Sequence, residues 1–420
     1  MSFPPILAAL RKHKAGVFLI GLQIALTLAI VCNLIFIVAV RVQRVQRPTG
    51  MNEHDLFIIT QQYIDASTSS STAALQKLDS MQATDLAALR RLPDVVSATT
   101  MNALPISDSY SMAQIALKPD QPHGLERVNE FTGDAHTVQT LGLHLIAGRN
   151  FTRNEVQHWG SQTASEPAVV VVTQTLADKL FPRGDALGRP IYLGGSSKPS
   201  TIIGVVARLQ GPNTEATGSA AWDSVLVPVR IDSASTMYAV RTKPGRMQAA
   251  MREARKALYA VDPLRVIPPV KRFDPEGIAS FAQWRKVTYA LDIYFAQILT
   301  VICLILLAIT GIGMTGLTSF WVRQRHKQIG IRRALGARKI DILHYFQMEN
   351  LLIAGGGCVA GVVLAIGINL ALLRMFQMDR MPVWYVAVGV IVILLLGQLA
   401  VFAPARRASN VPPVVATRSV

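Results

Sequence analysis

The chain has 420 residues, half of them hydrophobic, a mean hydropathy of +0.33 and a formal net charge of +16. Its three cysteines, Cys32, Cys303 and Cys358, all lie within apolar stretches, which excludes a disulfide scaffold and leaves no Cys/His cluster with metal-ligand spacing.

In chain order, residues 1–16 open with Arg11, Lys12 and Lys14. The apolar run Val17–Val40 follows, and it is too long for a signal-peptide core of about 7–15 residues, so it reads as a retained membrane anchor over 17–41. A mostly polar insert over 42–277 comes next. Its first part has a strand expected over Asp55–Ile64, a Ser/Thr-rich loop at Ser67–Thr72, a helix over Leu78–Leu92 with Met81, Leu86 and Leu89 on one side, and a strand over Val95–Met101. A second unit of the same kind lies downstream: strand Met237–Thr242, a Lys243-Pro244-Gly245 turn, helix Arg246–Tyr259 and strand Arg265–Ile267. Two β-α-β units so separated predict one split ferredoxin-like layer over 52–118 and 234–270. A β-rich lobe over 119–233 interrupts it, with strands expected at Ala168–Val172, Ile191–Leu193, Thr201–Val206 and Val225–Val229 and a short helix at Gln174–Phe181.

Apolar residues then recur at three- and four-residue spacing at Ile278, Phe281, Trp284, Val287 and Leu291, which predicts an amphipathic stalk helix over 278–292 running into the membrane. Three further spans are expected at 293–320, 351–373 and 383–401. Between the first two of these lies a basic segment, 321–350, and a basic tail, 402–420, closes the chain. The fold class is therefore an α+β membrane protein with four transmembrane helices and one large polar domain.

Short basic flanks are retained on the cytosolic side, so 1–16, 321–350 and 402–420 place both termini in the cytosol and the insert outside. Arg41, Arg44 and Arg47 run against that rule, although long translocated domains cross largely regardless of charge. Because the basic excess sits at membrane ends and not on one polar face, nucleic acid is not an expected partner.

Gly311-Ile-Gly313-Met-Thr-Gly316 matches a dinucleotide fingerprint in letters only. It lies inside a span, where small residues permit close helix contact, and Gly357 and Gly361 read the same way. No phosphate-binding loop of the form G-x-x-x-x-G-K-[ST] occurs, nor any G-x-S-x-G element or acid–base pair, so no catalytic residue and no cofactor is expected on this chain.

The most unusual segment is 322–337, with Gln328-Ile329-Gly330-Ile331-Arg332-Arg333-Ala334-Leu335-Gly336 as its candidate docking residues. Its Ile329, Ile331 and Leu335 could form an apolar stripe flanked by cations, with Gly336 ending a short helix, or could rest on anionic lipid headgroups. Here the sequence resembles the FtsX/MacB-type ABC transporter permeases, whose E-x-x-x-E-I-G-I-R-[KR]-A-L-G-A loop contacts the ATPase. Gln324 and Gln328 stand where that pattern has acids. Pro404-Ala-Arg-Arg-Ala408 resembles the closing motif of the same family. Leu86–Val96, Thr140–Phe151 and Val171–Gly188 resemble the MacB-like periplasmic domain.

The resemblance implies a bacterial inner-membrane permease without a fused ATPase. It implies ATP and Mg on a separate pair of ABC ATPase subunits, a second permease, identical or related, and a periplasmic adaptor with an outer-membrane channel as further partners. It also implies mechanotransmission, serving export of a peptide, antibiotic or lipid-linked substrate, or alternatively regulation of a periplasmic hydrolase or sensor.

Overall fold

The computed structural model describes residues 14–64, 71–107, 111–121, 126–159, 166–194, 196–269, 276–376 and 380–410. The Ser/Thr-rich loop expected at 67–72, most of the N-terminal segment 1–16 and the end of the tail fall largely outside them. The chain divides into two compact units, residues 46–291 and the remainder.

Helix α1 (Lys14–Gln46) precedes the larger unit in the chain. There β1 (Leu56–Tyr63), α2 (Thr72–Arg90) and β2 (Val95–Met101) form the first β-α-β element. Ser71 caps α2 by accepting a hydrogen bond from the Ala74 amide, so the helix begins before the expected Leu78. The next elements are β3 (Met112–Ala116), β4 (Glu126–Thr132), α3 (Thr137–Leu141), β5 (Leu145–Gly148), β6 (Gln157–Trp159), β7 (Val169–Thr173), α4 (Gln174–Leu180), β8 (Pro190–Leu193), β9 (Ser200–Val206), β10 (Ser224–Val227) and β11 (Val229–Ile231). Last come β12 (Ser235–Thr242), α5 (Met247–Val261), β13 (Arg265–Val266), β14 (Ile278–Ser280) and α6 (Phe281–Thr288).

The split layer is a sheet in the order β13-β1-β12-β2 with β14 also on β1. Helices α2 and α5 pack on it through Leu86, Leu89, Ala250, Ala254 and Leu258 against Phe57, Ile59, Tyr238 and Val240. The inserted lobe is a sheet in the order β5-β9-β7-β10-β4-β3-β8, and β8 also pairs with β9. That pairing closes β9-β7-β10-β4-β3-β8 into a ring, with β5 left as an edge strand on β9, around a core that includes Val128, Val170, Val172, Ile202 and Val225.

Two expected boundaries move. Strand β3, inside the span 52–118 assigned to the split layer, pairs with β4 and β8 and so belongs to the inserted lobe. Residues 278–280, expected as the start of a stalk helix, instead form β14 and complete the split layer against Phe57, Ile58 and Ile59. Strand pairing is the reason for both. A backbone edge of β1 left open would strand its N–H and C=O groups, and three residues of β14 satisfy them.

In the other unit, α7 (Ala290–Gln324), α8 (His326–Ala334), α9 (Lys339–Phe376) and α10 (Val383–Ser409) follow. Among the described residues, α1, α7, α9 and α10 are long and apolar enough to cross a membrane. All four outrun the apolar stretches read from the sequence. Ile24, Leu28, Cys32, Met314, Ala354, Cys358 and Ile393 form their shared core.

Candidate functional site: an outward-facing helix on a buried ion pair

Helix α8 is held from beneath. Ile329 is buried with Val322, Ile342, Phe346, Val401 and Ala405. Beside it the Arg325 guanidinium donates from one nitrogen to both carboxylate oxygens of Glu349, at 2.9 and 2.8 Å, with the Glu349 side chain only 2% exposed. The Arg332 guanidinium lies over the Tyr345 ring at 5.1 Å and ties α8 to α9. The helix then stops at Gly336, whose φ of +95° suits glycine and is strained for any residue with a Cβ.

What α8 leaves uncovered includes an apolar edge. Ile331 is 47% exposed and Leu335 82% exposed, with Gln328, Arg332, Ala334 and Gly336 also on the surface and Arg333 on the same helix. The three-residue stripe expected from the sequence is therefore split: Ile329 turns into the protein, while Ile331 and Leu335 turn out. Gly330 is buried. Gln324 and Gln328 are both exposed.

The glycines read as helix-packing positions differ. A Cβ on Gly357 would lie 2.9 Å from the Gly21 carbonyl oxygen, and one on Gly361 3.0 Å from that of Ala25, so both sit where α9 meets the α1 backbone. A Cβ on Gly313 would meet the Gln23 amide at 2.8 Å, whereas one on Gly311 would make an ordinary 3.4 Å contact with Leu396.

The stalk residues do not share one exposed or membrane-bound helix. Ser280 caps α6 in a reciprocal box with Gln283, and Phe281 and Trp284 are buried in the larger unit, Phe281 completely. Val287 is half-buried. Arg285 pairs with Glu53 at 2.7 Å, and its guanidinium lies 5.6 Å over Tyr289, which is itself 1% exposed and accepts a hydrogen bond from Gln210. The helix ends at Thr288, a new one starts at Ala290, and Leu291 is exposed. A continuous stalk is thus replaced by a capped helix docked on its own domain, because two large aromatics on its face gain more from burial than from solvent.

Sequence reasoning missed three groups. Arg325 and Glu349 lie in the basic segment 321–350, where the sequence marks their charges and not their pairing. Arg41, which ran against the charge rule, forms an ion pair with Asp292 and lies 5.1 Å over the Phe295 ring, so its charge is matched locally. In the split layer, Asp85 of α2 is fully buried and takes both Arg265 guanidinium nitrogens at 2.7 and 2.8 Å, with Tyr63, Tyr238 and Gln61 also donating to it. Burial, then the Asp85 charge, pushes the Tyr63 hydroxyl well above its ordinary value, and burial does the same to Tyr238. The available signal was an Asp on the helix face that Leu78, Gln82, Leu86 and Leu89 mark as inward.

A family model for the MacB-like periplasmic core domain matches residues 22–258, and one for the C-terminal part of FtsX-like permeases matches 300–413. The chain belongs to the FtsX/MacB-type permeases. Within this family it is 27% identical over 355 residues to the macrolide export ATP-binding/permease protein MacB of Escherichia coli strain K12, covering 79% of this chain and 48% of the relative. It is 29% identical over 239 residues to the protein of the same name from Neisseria gonorrhoeae, covering 56% of this chain and 34% of the relative. The chain spans a third to a half of the length of these curated relatives. The crystal structure of the periplasmic region of MacB from Actinobacillus actinomycetemcomitans aligns at 14% identity with a TM-score of 0.35, covering 56% of this chain and 93% of that one. The FtsX-like match contains α8, and the MacB-like match contains the closed lobe and strands β1, β2 and β12 of the split layer, ending within α5 before β13 and β14.

Proposed function

We propose that this chain is the permease subunit of an ABC-type transporter in the bacterial inner membrane, with both termini cytosolic and residues 46–291 in the periplasm. It takes no part in ATP chemistry itself. A pair of ABC ATPase subunits carrying ATP and Mg docks on α8 of two paired permeases, and their closure is transmitted to the periplasmic domains to drive export of a peptide, antibiotic or lipid-linked substrate. The named relatives export macrolides, which favours export among the uses of this architecture.

One observation carries the reading: an exposed Ile331–Leu335 edge on a helix whose other side is fixed by Ile329 and the Arg325–Glu349 pair. An apolar edge on a rigid support can receive a partner's surface and pass on its displacement without the helix folding away. Arg265–Asp85 and the Arg285–Glu53–Tyr289 anchor keep the larger unit stiff in the same sense.

The test is co-purification of the ATPase with Ile331→Asp and Leu335→Asp. Both positions are exposed, so membrane levels should match wild type, while a charge buried against the partner without compensation abolishes association. Wild-type recovery of ATPase with both variants would sink the docking role.

A further inference from the structure

Outside the coupling helix, three side chains from distant parts of the chain converge where the two lobes of the larger unit meet: Asp79 on α2, His158 on β6 and Asp232 just after β11. The backbone builds this meeting point. β6 and β11 pair in parallel with Arg230 opposite His158, which puts both on one face, and Asp232, two residues on from Arg230, returns to that face. Gln82, one turn from Asp79 on α2, is fully buried and donates to the Ile231 carbonyl at 2.9 Å, locking the helix against the ribbon.

We propose that Asp79, His158 and Asp232 bind a divalent transition-metal cation of the zinc class, tying α2 to the β6–β11 ribbon. The His158 Nδ1 atom lies 2.9 Å from Asp79 Oδ1 and 3.6 Å from Asp232 Oδ1. A tetrahedral zinc with bonds of about 2.0–2.2 Å holds neighbouring donor atoms about 3.3–3.6 Å apart, so these distances bracket what one ion requires. All three donor atoms fall within 4.8 Å of one another.

Asp232 supplies the second, independent sign. Its side chain is only 6% exposed, yet its Oδ1 has no hydrogen-bond partner while facing the imidazole. A buried carboxylate oxygen without a donor is costly, and a metal ion resolves that cost. The donor set of one imidazole and two carboxylates suits Zn²⁺ and excludes a preference for Mg²⁺ or Ca²⁺, which take oxygen ligands. The fourth position is left for water.

Arg230 is the built-in competitor. Its guanidinium forms an ion pair with Asp79, and its Nε is buried without an acceptor. A bound dication therefore has to share Asp79 with a fixed positive charge, which lowers affinity and makes occupancy respond to metal concentration. Removing that charge should tighten binding, an effect that damage to the fold cannot imitate.

The experiment uses the full chain in detergent, stripped of metal and titrated with Zn²⁺ against a fluorescent zinc chelator, with bound metal counted by elemental analysis. Expected results are one Zn²⁺ per chain, at least a 10-fold loss of affinity in Asp232→Asn and in His158→Gln, and tighter binding in Arg230→Gln. Excess Mg²⁺ should not compete. The half-exposed His158 makes His158→Gln the decisive variant should Asp232→Asn lower the yield of folded protein. Absence of stoichiometric zinc, unchanged affinity in His158→Gln, or weaker binding in Arg230→Gln would each overturn the site and leave an ion-paired latch between the lobes. None of these readouts depends on the ATPase, so they stand apart from the docking test.

Discussion

Replacing Arg265 by Leu should be the most damaging single change in the larger unit. The Arg265 and Asp85 side chains are both fully buried, and the guanidinium makes two parallel bonds to the carboxylate and a third, of 2.6 Å, to Gln61 Oε1. Without Arg265, Asp85 keeps only the neutral donors Tyr63, Tyr238 and Gln61, at 2.6, 2.9 and 2.9 Å. Removing one partner of a buried ion pair costs about 3–5 kcal/mol. For a unit of this size, each kcal/mol shifts Tm by about 2–4 °C, so Arg265→Leu should lower it by roughly 6–20 °C. Tyr63→Phe removes one hydrogen bond to a charged acceptor and should cost only about 1.5–3 kcal/mol. The sharper result is the double variant Asp85→Leu/Arg265→Leu. It leaves no uncompensated charge and should be more stable than Arg265→Leu alone, giving a coupling of opposite sign to simple additivity. The assay is thermal unfolding of the full chain in detergent followed by intrinsic fluorescence. A loss below about 1 kcal/mol for Arg265→Leu, or a double variant no better than the single, would refute the reasoning.

Glu130 and Glu166 line one cavity of the closed lobe, and burial, reinforced for Glu130 by the Glu166 charge, raises the proton affinity of both. A carboxyl with a raised folded pKa costs stability when ionised, and the cost disappears as pH falls through that value to below about 4, so Glu130→Gln should raise Tm at pH 8 and lose its advantage at pH 4. The opposite pH trend would contradict the assignment. Gly357→Leu forces a side chain against the Gly21 carbonyl and Ile24 and should cost about 1–3 kcal/mol, whereas Gly367→Leu, with nothing near its Cβ position, should be tolerated; equal melting temperatures would remove the role of Gly357 in close helix contact. With Cys32, Cys303 and Cys358 replaced, an impermeant thiol reagent added to whole cells should label Ser196→Cys and not Ser409→Cys, and the reverse pattern would invert the orientation.

The spans and the overall α+β class were legible in the sequence because hydrophobic length and periodicity are local properties. A long apolar run has no other solvent to go to, and Val95–Met101 reads as a strand from its own residues. The basic Gln328–Gly336 motif was legible in the same way, as a pattern within one turn or two of helix. The chain could not reveal by itself which side of that motif faces in. Ile329 and Ile331 are chemically alike, and only Phe346, Val401 and Ala405, brought from other helices, decide that the first is buried and the second exposed. The apolar spacing from Ile278 to Leu291 likewise fits a helix. Pairing of Ile278–Ser280 with an open edge of β1, and burial of Trp284 and Tyr289, turned it into a strand, a capped helix and a break. Asp85 with Arg265, Arg325 with Glu349, and Asp79 with His158 and Asp232 were invisible for one shared reason. A charge's role depends on the partner and the dielectric around it, and in each group at least two members come from separate elements that only the folded chain brings together.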